Sequence, residues 1–62
     1  MGWRSEIRDR IAELEARRAR LEAARTRAQN EGTDEGDHRE AELRAELTEI
    51  SHQINDLRAS LE

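Results

Sequence analysis

The sequence predicts an all-α fold, an antiparallel two-helix hairpin of the coiled-coil type, with dimerisation into a four-helix bundle as a further expectation. Two stretches carry aliphatic residues at heptad spacing, and a short segment with two glycines separates them. The two heptad patterns also match when the chain folds back at that segment. We therefore expect residues 1–62 to form a single domain, with a helix at about 5–30, a loop at about 31–36 and a helix at about 37–61.

The first predicted helix has an incomplete heptad pattern. Its aliphatic a and d positions are Ile7, Ile11, Leu14 and Leu21. The a positions that follow carry Arg18 and Arg25 instead of aliphatic residues, and the pattern ends at Ala28. Ser5 is the predicted N-cap, because a Ser hydroxyl can accept a hydrogen bond from a free backbone N–H of the first turn.

The second predicted helix has a nearly complete heptad pattern. Its a and d positions are Leu43, Leu47, Ile50, Ile54, Leu57 and Leu61, at steps of 4, 3, 4, 3 and 4. In the loop before it, Gly32 and Gly36 can both adopt the left-handed conformation that ends a helix or leaves a turn. Asp37 and Glu40 have the spacing of a capping box, so the helix is predicted to begin there.

The two heptad patterns share one fold-back point. In an antiparallel hairpin, residues that face each other have a constant sum of residue numbers. Four aliphatic layers have the sum 68: Ile7 with Leu61, Ile11 with Leu57, Leu14 with Ile54, and Leu21 with Leu47. Three further layers with this sum are Arg18 with Ile50, Arg25 with Leu43, and Ala28 with Glu40. The midpoint is residue 34, inside the predicted loop, and these ten aliphatic residues form the predicted hairpin seam.

Charge supports the same pairing of helices. Residues 1–30 carry eight Arg and five acidic residues, whereas residues 31–62 carry three Arg and ten acidic residues. The halves have net charges of +3 and −7, so the helices should attract each other. Glu22 and Arg44 both occupy e positions on one side of the hairpin, which predicts an ion pair between them.

The small aliphatic content predicts self-association. Only ten of 62 residues are Ile or Leu, and a lone hairpin would leave each of them partly open to water. A homodimer would cover the open sides of the seam, so we favour it over a monomer. The charged e and g positions favour the alternative, a two-stranded monomer. A row of small residues at Ala12, Ala16, Ala19 and Ala23 would allow close helix approach, although it also fits simple helix propensity on a solvated face.

Two seam arginines and one tryptophan are candidate partner contacts. Arg18 and Arg25 would lay their stems along the seam, with Arg18 reaching Glu46 or Glu49 and Arg25 reaching Glu42 or Glu46. The alternative is that they bind a carboxylate or phosphate of a partner. Trp3 either caps the end of the seam or contacts a second subunit or partner.

An arginine row on the first helix is a candidate nucleic-acid face. Its members include Arg10, Arg17 and Arg20. The net charge of −4 opposes long-range attraction to phosphate, so nucleic acid is the alternative partner and a protein is the favoured one. In architecture, the predicted hairpin resembles the small helical-hairpin dimers of the Rop type, which bind paired RNA hairpins. That resemblance is carried by no shared motif and implies a small RNA-binding regulator.

Catalytic and cofactor chemistry is not expected. The chain contains no Cys and no phosphate-binding glycine loop, and His38 and His52 lie 14 residues apart without a ligand or nucleophile beside them. The acidic segment 31–37 lacks the twelve-residue pattern of a calcium loop. We therefore expect no enzyme, no metal, no cofactor and no small-molecule substrate. No apolar run is long enough for a membrane span, which favours a cytoplasmic protein, and eleven Arg without Lys fit a GC-rich bacterial or phage genome.

Overall fold

The computed structural model describes residues 2–62 as an all-α helical hairpin. Helix α1 spans Trp3–Glu31 and helix α2 spans Asp34–Leu61, and residues 2–62 contain no β-strand. The molecule measures 48 × 15 × 12 Å, so it is about as long as one helix and two helices wide. Neither helix contains a stretch that is long and apolar enough to cross a membrane.

Two residues connect the helices. Gly32 ends α1 in the left-handed conformation, with φ 64° and ψ 27°, which only glycine adopts without strain. Thr33 is extended and caps α2, because its hydroxyl accepts a hydrogen bond from the backbone N–H of Gly36 at 3.0 Å. Asp34, Glu35 and Asp37 follow in the first turn, where negative charge is favourable.

The predicted start of the second helix is therefore three residues too late. Asp37 does not cap α2, because its backbone N–H already donates to the carbonyl of Thr33 at 2.9 Å within the first turn. Gly36 is not a loop exit either: it lies inside α2 and is buried. A Cβ at this position would lie 2.7 Å from the backbone oxygen of Ala28, so glycine allows the two helices to approach closely.

The start of α1 also differs from the prediction. The helix begins at Trp3, with Gly2 in the cap position and no side-chain capping bond. The backbone N–H of Ser5 donates to the carbonyl of Gly2 at 3.2 Å, so Ser5 belongs to the first turn and is not the N-cap.

The core is one layer of aliphatic side chains between the helices. Its buried centre consists of Ile11, Leu14, Ile50 and Ile54, and Ile7, Leu21, Leu57 and Leu61 pack against it while partly exposed. Of the two other seam residues, Leu47 is buried and Leu43 is half-buried. Close to the connection, Ala28 is only 1% exposed. Packing near the connection therefore depends on backbone approach, whereas packing in the middle depends on large side chains.

Four cross-helix ion pairs follow the antiparallel course of the chain. They join Glu15 to Arg58 at 3.0 Å, Arg17 to Glu46 at 4.0 Å, Arg25 to Glu40 at 3.0 Å, and Glu31 to Arg39 at 3.2 Å. The partner number on α2 falls as the number on α1 rises. Three of the pairs join e to e or g to g, which is the pattern of two facing antiparallel helices, and the pair between Arg25 and Glu40 joins a positions of adjacent layers.

Candidate interaction surfaces

The hairpin presents two long faces, one on each side of the seam. The groove face is the side on which Glu15 pairs with Arg58, and the charged face is the side on which Arg17 pairs with Glu46. These pairs occupy e and g positions, respectively. The neighbouring e and b residues extend the groove face, and the neighbouring g and c residues extend the charged face.

The groove face contains a shallow groove of about 290 Å³. It is lined by Arg18, Glu22, Arg25, Arg44, Leu47, Thr48, Ser51 and His52. The groove exists because α1 carries Arg18 and Arg25 at two of its seam positions. Large aliphatic residues at these positions would cover the seam of α2, and the arginines leave it open. Arg18 lies exposed beside the groove, and Arg25 is half-buried.

A buried carboxylate lies at the end of this groove nearest the connection. Glu40 is 8% exposed and accepts hydrogen bonds from Arg44 Nη2 to both of its oxygens at 2.8 Å. Arg25 Nε donates to Oε1 of the same carboxylate at 3.0 Å. These bonds, the one from Arg44 first and then the one from Arg25, lower the pKa of Glu40, although burial acts in the opposite direction. Two guanidiniums thus hold one ionised carboxylate between the helices.

The structure corrects the predicted partners of the seam arginines. Arg25 bonds to Glu40 instead of Glu42 or Glu46, because Glu40 is a seam residue only one layer away. Arg18 pairs with Glu22 at 3.2 Å on its own helix and reaches neither Glu46 nor Glu49.

The predicted pair between Glu22 and Arg44 is also absent, although both residues line the groove. Each is bound to a residue four positions away on its own helix, Glu22 to Arg18 and Arg44 to Glu40. A pair of unlike charges on adjacent seam layers, Arg25 and Glu40, was the signal in the sequence that would have identified the buried ion pair.

The groove has chemistry suited to an anionic group. An arginine has five N–H donors, and the bonds to Glu22 and Glu40 use only some of those on Arg18, Arg25 and Arg44. A carboxylate or phosphate entering the groove could use the remaining donors. The two acidic residues already compensate part of the positive charge.

The charged face carries one row of each sign. On α1, Arg10, Arg17 and Arg20 line one shallow depression together with Leu14, and Arg27 follows one heptad after Arg20. On α2, Glu46 reaches this face through its pair with Arg17, and Glu42 and Glu49 lie one turn to either side of it. Asp56 lines a second depression on the same face with Arg10. The sequence thus places a basic row (Arg10, Arg17, Arg20, Arg27) beside an acidic row (Glu42, Glu46, Glu49, Asp56).

Several charges in these rows have no partner within the hairpin. Arg10 pairs with Glu13 at 3.3 Å, and Arg17 lies 4.0 Å from Glu46, which is a long distance for an ion pair. Across residues 2–62, the structure contains no ion pair to Arg20, Arg27, Glu49 or Asp56.

Trp3 lies exposed at the end that holds both chain termini. It is 54% exposed and is not part of the aliphatic cluster, so it does not cap the seam. The Arg4 guanidinium lies 5.5 Å from the centre of the indole ring, close enough for a cation–π contact. The other predicted role of Trp3, contact with a second subunit or partner, stays a prediction.

The histidines and the small-residue row lie on the exposed surface. His38 Nε2 is 3.2 Å from a carboxylate oxygen of Glu42, and His52 lies at the edge of the groove. Ala12, Ala16, Ala19 and Ala23 are all exposed. Within residues 2–62, no group of three or more His, Cys, Asp or Glu side chains is placed to hold a metal ion.

Comparisons with protein families, with curated proteins and with solved structures give no significant match to this chain.

Proposed function

We propose that this hairpin is a small non-enzymatic interaction module that works through helix–helix contacts and associates with a second copy of itself. The observation that supports this proposal is the half-open seam. Ile7, Leu21, Leu43, Leu57 and Leu61 contribute to the interhelical layer, and each remains partly exposed. Aliphatic surface of this kind gains about 25 cal/mol for each Å² that a partner removes from water.

The small size of the buried aliphatic core also favours association. Among residues 2–62, only five large aliphatic side chains are buried, namely Ile11, Leu14, Leu47, Ile50 and Ile54. Domains below about 70–80 residues rarely obtain enough stability from such a core alone. A second hairpin would add two helices to the layer and turn it into the core of a four-helix bundle.

The mass in solution tests this proposal. Size-exclusion chromatography with light scattering should give twice the chain mass of 7.2 kDa. The melting midpoint followed by circular dichroism should rise with protein concentration, because dimer formation favours the folded state by mass action. A mass of one chain together with a midpoint independent of concentration would contradict the proposal.

The groove face is the surface we propose for a different protein partner. Arg18, Arg25 and Arg44 would bind an acidic side chain of that partner in the groove over Leu47. A cytoplasmic setting for such a module is part of the same proposal.

Nucleic-acid binding is the second candidate, and one specific observation favours it. Arg10, Arg17 and Arg20 line one depression on α1, and Arg20 has no ion-pair partner among residues 2–62. A mobility shift with RNA and DNA across a salt series tests it. Binding that weakens steeply with salt, and is lost when these three arginines are changed to Gln, would favour this candidate. The absence of a shift at low salt would exclude it.

A further inference from the structure

The charged face has unsatisfied charges of both signs, arranged in two parallel rows. Arg20 and Arg27 lie at c positions on the outer edge of α1, and Glu42 and Glu49 lie at c positions on the outer edge of α2. Of these four, Glu42 contacts His38 on its own helix, and the other three have no ion-pair partner among residues 2–62. Residues at c positions point away from the seam, so members of the same hairpin are too far apart to pair. Accordingly, no ion pair joins the two outer edges anywhere in residues 2–62.

The two rows are matched in height along the hairpin. Residues of α1 and α2 lie at the same height when their numbers add to about 68. Arg20 with Glu49 and Arg27 with Glu42 each give 69, which is a mismatch of only one residue, or about 1.5 Å of helix rise. The third pair of c positions, Glu13 with Asp56, also gives 69 and joins like charges, but Arg10, which is bound to Glu13 at 3.3 Å, lies beside both of them. Each unpaired arginine therefore has an acidic residue at its own level on the opposite edge.

Only one symmetric way of stacking two charged faces brings unlike charges together. If the two-fold axis runs across the hairpin, α1 covers α1 and α2 covers α2, which places acidic rows against each other. If the axis runs parallel to the helices, α1 of one copy covers α2 of the other and every height is preserved. Arg20 then faces Glu49 of the second copy, and Arg27 faces its Glu42.

We propose that the charged face is the self-association surface of this protein, with the basic row of each copy on the acidic row of the other and both connections at the same end. This inference rests on the proposed homodimer and adds its surface and its polarity. The dimer is isologous, so each charge contact occurs twice.

The charged face also has apolar surface for the second copy to cover. Between the two rows lies a depression of about 310 Å³ lined by Arg10, Leu14, Gln53, Asp56 and Leu57. Trp3 lies seven residues before Arg10, which is two helical turns and therefore the same face. Stacking along the parallel axis places this exposed indole near the end of α2 of the second copy, where it acts as an aromatic anchor.

Charge reversal with heterodimer rescue tests the surface. One variant carries Arg20→Glu and Arg27→Glu, and the other carries Glu42→Arg and Glu49→Arg. Either variant alone places like charges opposite each other, so its dimer dissociation constant should rise by at least about tenfold in sedimentation equilibrium. An equimolar mixture should restore wild-type affinity, because both contacts in the heterodimer again join opposite charges.

A control places two new glutamates on the groove face instead of the charged face. Ala12→Glu with Ala19→Glu alters exposed positions there and should leave the dimer intact. Circular dichroism of every variant distinguishes lost association from lost helix. If the control breaks the dimer and the reversals do not, this inference is wrong while the homodimer stands. A monomeric wild-type protein overturns both.

The polarity of the dimer is tested separately by a distance. Glu35→Cys introduces one thiol next to the connection in a chain without cysteine, and a spin label there reports the distance between the two copies. Connections at the same end should give a distance well under half of the 48 Å length of the hairpin. A distance close to the full length would place the connections at opposite ends and overturn the proposed arrangement.

Discussion

Among individual residues, Glu40 has the most unusual environment. Its carboxylate lies at a seam position, 8% exposed, and accepts three hydrogen bonds from Arg25 and Arg44. Burying a charge is unfavourable unless it is paired and hydrogen-bonded, and here both conditions are met by arginines of both helices. Glu40 is therefore part of the contact that fixes how α1 and α2 meet near the connection.

Stability should fall in acid because of this carboxylate. The pKa of Glu40 is lowered in the folded protein, so the unfolded chain binds the proton more readily. Its contribution to stability is complete above the ordinary pKa of glutamate. The contribution is lost as the pH falls from the ordinary pKa of glutamate towards the lowered pKa of Glu40 in the folded protein. We expect the melting midpoint to decrease as the pH falls through and below the ordinary pKa of glutamate.

The assignment to Glu40 is checked with two variants. Glu40→Gln should lower the midpoint at neutral pH, and its midpoint should depend less on pH than that of the wild type over the acidic range. Asp9→Asn is the control, because Asp9 is exposed and has no ion-pair partner among residues 2–62. Equal acid sensitivity in wild type and Glu40→Gln would show that other carboxylates are responsible.

Gly36→Ala should destabilise the protein although alanine favours helix. In an open helix this change would stabilise by about 0.5–1 kcal/mol. Here the new Cβ would lie 2.7 Å from the backbone oxygen of Ala28, and a backbone atom cannot rotate away. Forcing the helices apart costs about 1–3 kcal/mol, so chemical denaturation should show a net loss. Ala45→Gly, at an exposed position of α2, measures the Gly/Ala difference in helix propensity alone and should destabilise by about 0.5–1 kcal/mol. A stabilised Gly36→Ala variant would contradict the close helix approach.

At the level of the helices, the sequence predicted the hairpin through features that repeat. Two heptad patterns with a common residue sum of 68 required the chain to turn near residue 34, and the turn lies at Gly32 and Thr33. Repeated spacing constrains pairing because a single shift would remove several aliphatic residues from the interface at once. The direction of the chain and the seam thus followed from spacing alone.

The boundaries and the groove could not be predicted in the same way, because single residues decide them. Glycine is typical of loops, so the sequence suggested that Gly36 belongs to one. Only the short distance between a Cβ at this position and the backbone oxygen of Ala28 shows that a glycine is needed there inside a helix. Thr33 and Asp37 are both good caps, and the chain uses the earlier one. Which acidic residue Arg25 chooses depends on side-chain reach across the seam, which a heptad diagram does not contain.

The α2 seam should be intolerant of charge. Ile54 is 2% exposed at the centre of the aliphatic cluster, so Ile54→Asp would bury an unpaired carboxylate and remove the main contact between the helices. We expect loss of the helical circular dichroism signal at 25 °C. His52→Ala, two residues away and exposed, should leave the signal unchanged. Retained helicity in Ile54→Asp would show that the seam is not what holds the helices together.

In the whole molecule, charge is divided between the helices. Residues 1–30 carry a net charge of +3 and residues 31–62 one of −7, and four ion pairs cross between the helices. The three exposed pairs, all but the one between Arg25 and Glu40, contribute only about 0.2–1 kcal/mol each, so they supplement the aliphatic layer without replacing it. The division also disfavours pairing of like helices, and it leaves the basic and acidic rows available on the charged face.

This division of charge makes stability sensitive to salt. Raising NaCl from about 0.01 M to about 1 M shortens the Debye length from about 30 Å to about 3 Å, which screens attraction between exposed charges on the two helices. We expect the melting midpoint to fall over this range at constant protein concentration. The double variant Glu15→Gln with Arg58→Gln keeps the net charge but removes one cross-helix pair, so its midpoint should fall less with salt. A wild-type midpoint that rises with salt would mean that repulsion among the acidic residues of α2 outweighs the attraction between the helices. The charge asymmetry would then oppose the hairpin instead of stabilising it.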